Sequence, residues 1–248
     1  MPSWKSIGSF LSKHRSKGPL ERRGGDFRAY SQADGDILTL LGLFKTRRGS
    51  PLKAVACIPE WSLRGIRAGI YVTGTSDQKN IKLHMPPWKR EVEKCRQAGK
   101  TFVILNFGLY IGSYVQHAGA VLIDLRRNVI ERFEPAGRLS GTYDTLDMAI
   151  EEQFRNRMPT YDYVGTIRAA PKRGPQELAD AFSGLCVTFS LLYILVRLMN
   201  PQRTPKEVQE HLVKLTPTTL RDTALRLNRT MADTLRRHPR GSLSSHVR

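Results

Sequence analysis

The sequence contains few cysteines, and their number and spacing exclude two kinds of protein. Its 248 residues include Cys57, Cys95 and Cys186, with no CxxC pair and no Cys/His spacing typical of a zinc site. An odd and sparse set is also unlike the disulfide framework of a small secreted protein. We therefore expect free thiols in a reducing, intracellular setting, where one of the three can act as a nucleophile.

Long apolar runs and acidic clusters are absent as well. The run LCVTFSLLYILV at 185–196 is shorter than the roughly 18 residues that a membrane-spanning helix needs, and it fits a buried helix better. The N-terminus lacks the apolar core and the cleavage site of a secretory signal. Because the apolar run is too short, we predict no transmembrane segment. Without an acidic cluster, a nuclease or other metal-dependent activity has no support, and we predict no metal site.

Acidic residues are scarce relative to basic ones. Lys and Arg number 40 against 22 Asp and Glu, which gives a net charge of +18 and a pI of about 10.3. A field of this sign attracts polyanions, of which nucleic acid is the most common. We therefore expect contact with nucleic acid or another polyanion, without dependence on base sequence.

The composition indicates one globular domain with basic ends. Apolar residues make up 40% of the chain, which is enough for a single core. Both ends are instead rich in Lys, Arg, Ser and Gly. We predict a basic, flexible N-terminal segment at 1–30, one domain at 31–238 whose motifs fall within 86–201, and a basic, disordered tail at 239–248.

Hydrophobic periodicity predicts an α+β domain, a small mixed β-sheet flanked by helices. Runs rich in β-branched and aromatic residues indicate strands, while apolar or amphipathic segments bounded by Pro and Gly indicate helices. Thr204 and Glu207 have the spacing of a capping box at the start of one helix. The predicted strands are 101–115, 119–125, 129–135 and 161–167, and the predicted helices are 86–100, 144–157, 185–200, 204–215 and 217–237.

The stretch HAGAVLIDLRRNVIERFEP at 117–135 predicts a β-hairpin with a histidine at one end and a glutamate at the other. Pairing of the two strands through the short Arg-Arg-Asn turn brings His117 and Glu134 together. Strand alternation places Arg132 on the same face as Glu134. Asp124 is an alternative partner for the imidazole, although alternation directs it away from the side of Glu134.

Two further candidates lie in and before the apolar helix. Cys186 falls in the first turn of that helix, where backbone N–H groups and the helix dipole stabilise a thiolate. Gly184 suits a loop that a substrate backbone approaches closely. Gln176, in the sequence RGPQ, lies in the preceding loop, where its amide can donate to an oxyanion beside the Cys186 N–H. Taken singly, residues of these types at such positions more often have an ordinary structural role.

Together these motifs resemble a known family of cysteine proteases. The stretches KTFVILNFGLY, HAGAVLID, IERFEPAG, GPQ and GLCVTFSLLYILVRLMNP, within 86–201, are similar to the adenovirus protease (adenain) and the related SUMO-deconjugating proteases of clan CE. The similarity is greatest to the adenain-like proteases of large DNA viruses. It implies a papain-like or adenain-like core with Cys186 as nucleophile, His117 as general base and acid, Glu134 as orienting carboxylate and Gln176 as oxyanion donor.

The resemblance also implies a function. The expected activity is that of a cysteine endopeptidase that cleaves viral precursor proteins after small, Gly-Gly-like residues during virion maturation. Its partners would be polypeptide substrates, and it would need no cofactor, with DNA as a candidate non-specific activator and binding surface. It would act in the cytoplasm or nucleus of a host cell and be packaged in the virion. Arg23-Gly24-Gly25-Asp26 fits this preference, either as a self-processing site after Gly25 or as a flexible basic linker.

Two alternatives remain open. A deconjugase acting on ubiquitin-like or SUMO-like tails would use the same chemistry, because those tails also end in Gly-Gly. A catalytically inactive, basic virion or nucleic-acid-binding protein would keep the scaffold and the charge without the reaction.

Overall fold

A computed structural model provides the coordinates of the central part of the chain. It describes Trp4 and residues 52–59, 70–74, 80–85, 87–111, 115–138, 142–179 and 185–237. Apart from Trp4, the predicted basic segment at 1–30, with the Gly24-Gly25 pair, lies outside the described residues. So do Gly184 and the predicted tail at 239–248.

The described residues form strands and helices that alternate irregularly along the chain. The strands are β1 (Ala56–Cys57), β2 (Ile70–Gly74), β3 (Lys82–His84), β4 (Phe102–Ile111), β5 (Val115–Asp124), β6 (Val129–Phe133) and β7 (Asp162–Val164). The helices are α1 (Leu52–Val55), α2 (Lys89–Gln97), α3 (Thr142–Arg157), α4 (Thr166–Ala169), α5 (Pro175–Leu178), α6 (Cys186–Met199), α7 (Pro205–Val213) and α8 (Pro217–Arg237).

The strands form one mixed sheet in the part of the chain described above. Its order is β3, β2, β4, β5, β6 and β7, and β1 pairs with β4 beside β2. The three central strands β4, β5 and β6 are antiparallel, whereas β1 and β2 pair in parallel with β4, and β7 pairs in parallel with β6. The prediction of an α+β fold with a mixed sheet flanked by helices is confirmed.

Each face of the sheet carries its own apolar core, because alternate residues of the central strands point to opposite sides. On one face, Phe102, Ile104 and Leu122 pack with α6, α7 and α8. On the other, Val103 and Leu105 pack with side chains from α2 and α3. Burial on both faces explains why β4 and β5 read as nearly continuous apolar runs instead of alternating ones.

Helix α6 is the centre of the first core, and it carries Cys186 at its start. The side chains from Val187 to Met199 are all buried, between β5 on one side and α7 and α8 on the other. Its tyrosine Tyr193 stacks on Phe133 of β6, with 4.3 Å between ring centroids. A helix enclosed in this way fixes the position of its first turn.

No helix in the described ranges has the length and apolar character required to cross a membrane.

Helix α7 begins as its sequence predicts and also contacts the N-terminal region. Thr204 and Glu207 form the reciprocal bonds of a capping box, which confirms that prediction. Trp4 stacks on His211 of α7 with 3.9 Å between ring centroids, and the Arg203 guanidinium lies 4.9 Å from the indole centroid. A residue from the predicted flexible segment therefore packs on the folded domain.

The cysteines differ from the expectation of three free thiols. Cys57 of β1 and Cys95 of α2 form a disulfide across 38 residues of sequence, and Cys186 is free. The expectation is therefore wrong for two of the three. The pairing depends on β1 lying beside the start of β4, near the end of α2, which residue spacing does not reveal. Cysteine usage consequently no longer supports a reducing compartment.

Thiol titration tests this disulfide. Protein denatured without reductant is expected to show one reactive thiol per chain, and three after reduction, because Cys57 and Cys95 are paired. Reduction should lower the free energy of unfolding by about 2–4 kcal/mol, since the bond closes a long loop in the unfolded chain. The double variant Cys57→Ser/Cys95→Ser serves as the control, because its melting temperature should not respond to reductant. Three reactive thiols before reduction would contradict the pairing.

Candidate active site

His117 and Glu134 meet at the open end of the β5–β6 hairpin. Ala120 of β5 pairs with Phe133 of β6, and this register continues to place Glu134 beside the His117 end of β5. The His117 Nε2 and Glu134 Oε1 atoms are 2.5 Å apart. The sequence predicted a strand beginning at residue 119, whereas β5 begins at Val115, so His117 lies inside the strand and not before it.

Glu134 is almost fully buried, and among the described residues it has polar contacts with His117, Arg132 and the Ala136 N–H. Its side chain is 2% exposed; Oε1 also accepts the Ala136 backbone N–H at 3.2 Å, and Oε2 lies 3.5 Å from Arg132 Nη2. Burial alone would raise the pKa of this carboxyl, but His117, Arg132 and the Ala136 N–H together hold it below its usual value. Glu134 is therefore ionised at neutral pH and can orient the imidazole through Nε2–H.

His117 connects this carboxylate to the sulfur of Cys186. Burial on its own would lower the pKa of His117, but the Glu134 charge and hydrogen bonds with Cys186 and Glu134 raise it to about 10. The imidazole is consequently protonated at neutral pH. Because Nε2 bonds Glu134, Nδ1 is the ring nitrogen that remains for the sulfur. The side chain is 20% exposed, so substrate and solvent can reach it.

Cys186 is the first residue of α6 and is half-buried against the apolar core. One turn later, Ser190 Oγ donates to the Ala118 carbonyl at 3.5 Å, which links the start of the helix to the residue after His117. The first N–H groups of a helix have no partner within it, so they stabilise negative charge on a sulfur or an oxygen near them. This position suits a nucleophile and the oxyanion that it creates.

Gln176 lies next to the Glu134 end of the hairpin. The sequence predicted a loop, but Gln176 belongs to the short helix α5, and its backbone N–H donates to the Pro135 carbonyl at 3.0 Å. Gly174 also donates to Ala136 at 2.8 Å; a Cβ at Gly174 would lie 2.3 Å from the Pro135 oxygen, so only glycine permits this approach. Gln176 Oε1 is buried without a hydrogen-bond partner in the described part of the chain.

Asp124 does not contact His117. It lies at the opposite end of β5, where Oδ2 is 3.3 Å from Arg197 Nη2 and Oδ1 accepts the backbone N–H groups of Arg126 and Arg127. Its role is to close the hairpin turn and to pair with α6. Glu134 is thus the carboxylate that the fold brings to the imidazole.

Two charged residues near the site, Arg132 and Asp147, are not among the catalytic residues predicted from the sequence. Arg132 lies on the face of β6 that also carries Glu134, and it pairs with Asp147 of α3. Strand alternation revealed the position of Arg132. Nothing in the local sequence indicates that Asp147 reaches it, because that contact depends on how α3 packs on the sheet.

Comparison with known proteins gives weak likenesses. No family model and no curated protein matches the chain. Among solved structures, it resembles a variant of AvrA with IP6 and CoA, at 14% identity and a TM-score of 0.40, over 97% of this chain and 86% of that one. It also resembles ChlaDub1 from Chlamydia trachomatis, at 12% identity and a TM-score of 0.41, over 93% and 96% of the two chains. At TM-scores below 0.5 these likenesses carry no argument about function, and the site geometry is the basis for assigning one.

Proposed function

We propose that the protein is a cysteine peptidase with Cys186 as its nucleophile. The observation that carries this proposal is that the His117 imidazole bonds the buried Glu134 carboxylate at 2.5 Å and also interacts with Cys186, the free cysteine at the start of α6. A thiol at a helix start, a histidine able to take and return a proton, and a carboxylate that orients the histidine are the groups that thiol acyl transfer needs.

The first half of the reaction follows from this arrangement. The Cys186 sulfur, with its proton on His117, attacks the peptide carbonyl carbon; a C–S bond forms and the carbonyl π electrons move to oxygen. Collapse of this tetrahedral species re-forms the carbonyl and breaks the C–N bond. His117 then gives its proton to the departing amine, which leaves a thioester on Cys186 and a neutral imidazole.

The second half uses the same residues in reverse. Neutral His117 takes a proton from a water molecule as the water oxygen attacks the thioester carbon. The C–S bond then breaks, which releases the carboxylic acid product and the Cys186 sulfur. The Cys186 N–H at the start of α6 is one donor to the oxyanion. Gln176 is proposed as the second donor through its side-chain amide, because its backbone is fixed beside Pro135, one residue from Glu134.

The proposed substrates come from the resemblance to adenain-like proteases. That resemblance implies polypeptide substrates with small, Gly-Gly-like residues before the cleaved bond, and viral precursor proteins as the natural targets. The net charge of +18 supports a second element, in which DNA serves as a surface that concentrates the enzyme with its substrates. Neither element follows from the geometry of the catalytic set.

Reporter hydrolysis tests the proposal and its alternative. Wild-type protein should cleave a fluorogenic peptide with Gly-Gly before the reporter at least about 10-fold faster than one with Leu-Leu there, because the narrow cleft that the resemblance implies would exclude bulky side chains. Cys186→Ala should cleave neither. Cleavage confined to full-length ubiquitin or SUMO reporters would instead identify a deconjugase. No cleavage of any reporter, together with no labelling by an active-site thiol probe, would contradict the peptidase proposal.

A salt and DNA series tests the polyanion element separately. Added duplex DNA should accelerate peptide cleavage at low salt, and the effect should fall steeply as salt rises, because counterion release drives such binding. A rate that DNA and salt leave unchanged would remove DNA from the proposal without affecting the assignment of Cys186.

A further inference from the structure

The charged residues of the site continue inward beyond Glu134. Arg132 is two residues earlier on the same face of β6 and is 2% exposed. Its Nη2 lies 3.5 Å from Glu134 Oε2, and its Nη1 donates to Asp147 Oδ1. The guanidinium also lies over the Phe107 ring, with 5.0 Å to the centroid. Arg132 is therefore fixed in a dry position between two carboxylates.

Asp147 is held as tightly as the arginine that it anchors. This fully buried residue of α3 accepts the Tyr163 hydroxyl at 3.1 Å and the Ile167 backbone N–H at 3.2 Å. Gly165 allows the close packing, since a Cβ there would lie 2.4 Å from Asp147 Oδ2. Bonds from β7 and α4 thus fix the carboxylate, and through it the Arg132 guanidinium.

A second buried network of arginine and carboxylate side chains lies away from the candidate active site. On the opposite face of the sheet, Arg197 bridges Glu131 and Asp124, with 2.9 Å and 3.3 Å contacts, and Tyr193 bonds Glu131 at 2.9 Å. Within the described part of the chain, none of the hydrogen bonds of Glu131, Tyr193 and Arg197 reaches His117 or Glu134. The Arg132–Asp147 pair differs because its arginine faces the carboxylate that bonds the candidate catalytic imidazole.

The two cations beside Glu134 behave differently during the proposed reaction. His117 loses its proton to the leaving amine, so for part of the cycle it offers no charge to a carboxylate that is almost fully buried. An isolated buried carboxylate then tends to take up a proton. Arg132 keeps its charge throughout, because a guanidinium does not deprotonate in proteins.

We propose that Arg132, anchored by Asp147, is a positioning residue that keeps Glu134 ionised and its Oε1 directed at His117 while the imidazole is neutral. This inference rests on the proposed function for its catalytic meaning. Arg132 and Asp147 touch neither substrate nor the reacting atoms. Their effect reaches the reaction only through Glu134.

The groups that face Glu134 determine the expected titration. They are His117 from β5, Arg132 from β6 itself and the Ala136 N–H; Asp147 and Tyr163 lie behind Arg132, and Cys186 reaches the cluster through His117. Arg132 lowers the pKa of Glu134, so its removal should raise that pKa. An opposite charge at this distance is worth about 1–3 pH units.

The test measures the titration of Glu134 by its carboxyl carbon-13 resonance, identified by its loss in Glu134→Gln. The main variant is Arg132→Met/Asp147→Asn, which removes one charge of each sign and keeps the shape of residue 147 with one of its two acceptor oxygens. Its Glu134 midpoint should rise by about 1–3 pH units, and that of Arg132→Lys by less. The matched control, Arg197→Met/Glu131→Gln, removes an equally buried pair on the other face and should leave the midpoint unchanged.

Peptide hydrolysis supplies the second readout. In the main variant kcat should fall about 10- to 100-fold with KM unchanged, and Arg132→Lys should recover part of the loss, because the substrate does not contact these residues. A Glu134 midpoint within about 0.3 pH units of wild type in the folded double variant would overturn the inference. If wild type hydrolyses no peptide, the proposed function fails, while the Glu134 midpoint still tests the role of Arg132.

Discussion

Replacing Cys186 or His117 with alanine is expected to reduce kcat/KM for peptide hydrolysis by about 10⁴-fold or more. Without the sulfur, no thioester forms; without the imidazole, neither the proton from the thiol nor the proton for the leaving amine has a carrier. Because the two residues act as one unit, the double variant should be no less active than either single variant. Steady-state hydrolysis of a Gly-Gly reporter peptide measures all three.

The control for this pair is His211→Ala. His211 belongs to α7, where it stacks on Trp4, and it lies outside β5 and β6. Its kcat/KM should stay close to wild type. All variants should retain a cooperative melting transition, since Cys186 and His117 lie at the rim of the core and not within it. A His117→Ala protein that keeps more than about a tenth of the wild-type rate would contradict the assignment of the imidazole.

Replacing Glu134 with glutamine is expected to lower kcat about 10³- to 10⁴-fold and to change the pH profile. The amide still fills the space and can still bond Nε2, but it carries no charge to stabilise the imidazolium. His117 has a pKa of about 10 in the wild type, so the protonated imidazole that donates to the leaving amine is lost as the pH rises through that value. The alkaline limb of kcat/KM should therefore lie near pH 10 in the wild type.

In Glu134→Gln this alkaline limb should move to lower pH, toward the ordinary histidine value of about 6.5. The direction follows because Glu134 raises the pKa of His117. Glu131→Gln is the matched control, since it neutralises a buried glutamate of the same strand that faces α6 and bonds Tyr193 and Arg197. An alkaline limb at the same pH in wild type and Glu134→Gln would show that the carboxylate does not govern the imidazole.

The parts of the fold that follow from local physics were predictable. The short turn of the β5–β6 hairpin fixes the pairing of its strands, so the proximity of His117 and Glu134 follows from chain order and alternation alone. The ends of α6 and the capping box of α7 likewise follow from nearby residues, because Pro201 stops one helix and Thr204 begins the next.

The contacts that the sequence did not reveal all join distant segments. Cys57 meets Cys95 because a two-residue strand pairs with β4 near the end of α2, and periodicity over two residues predicts nothing. Asp147 meets Arg132 because α3 packs across the sheet, and Gln176 is fixed by a backbone bond to Pro135, the residue after Glu134. Such contacts depend on the packing of whole elements, which single-residue patterns do not encode.

The most direct test of the central claim is a nuclear magnetic resonance titration of the His117 ring, assigned by its absence in His117→Gln. The bond to the Glu134 carboxylate and the interaction with Cys186 predict a midpoint of about 10, and a fall by more than one pH unit in Glu134→Gln. A wild-type midpoint near 6.5, unchanged in Glu134→Gln, would contradict the account.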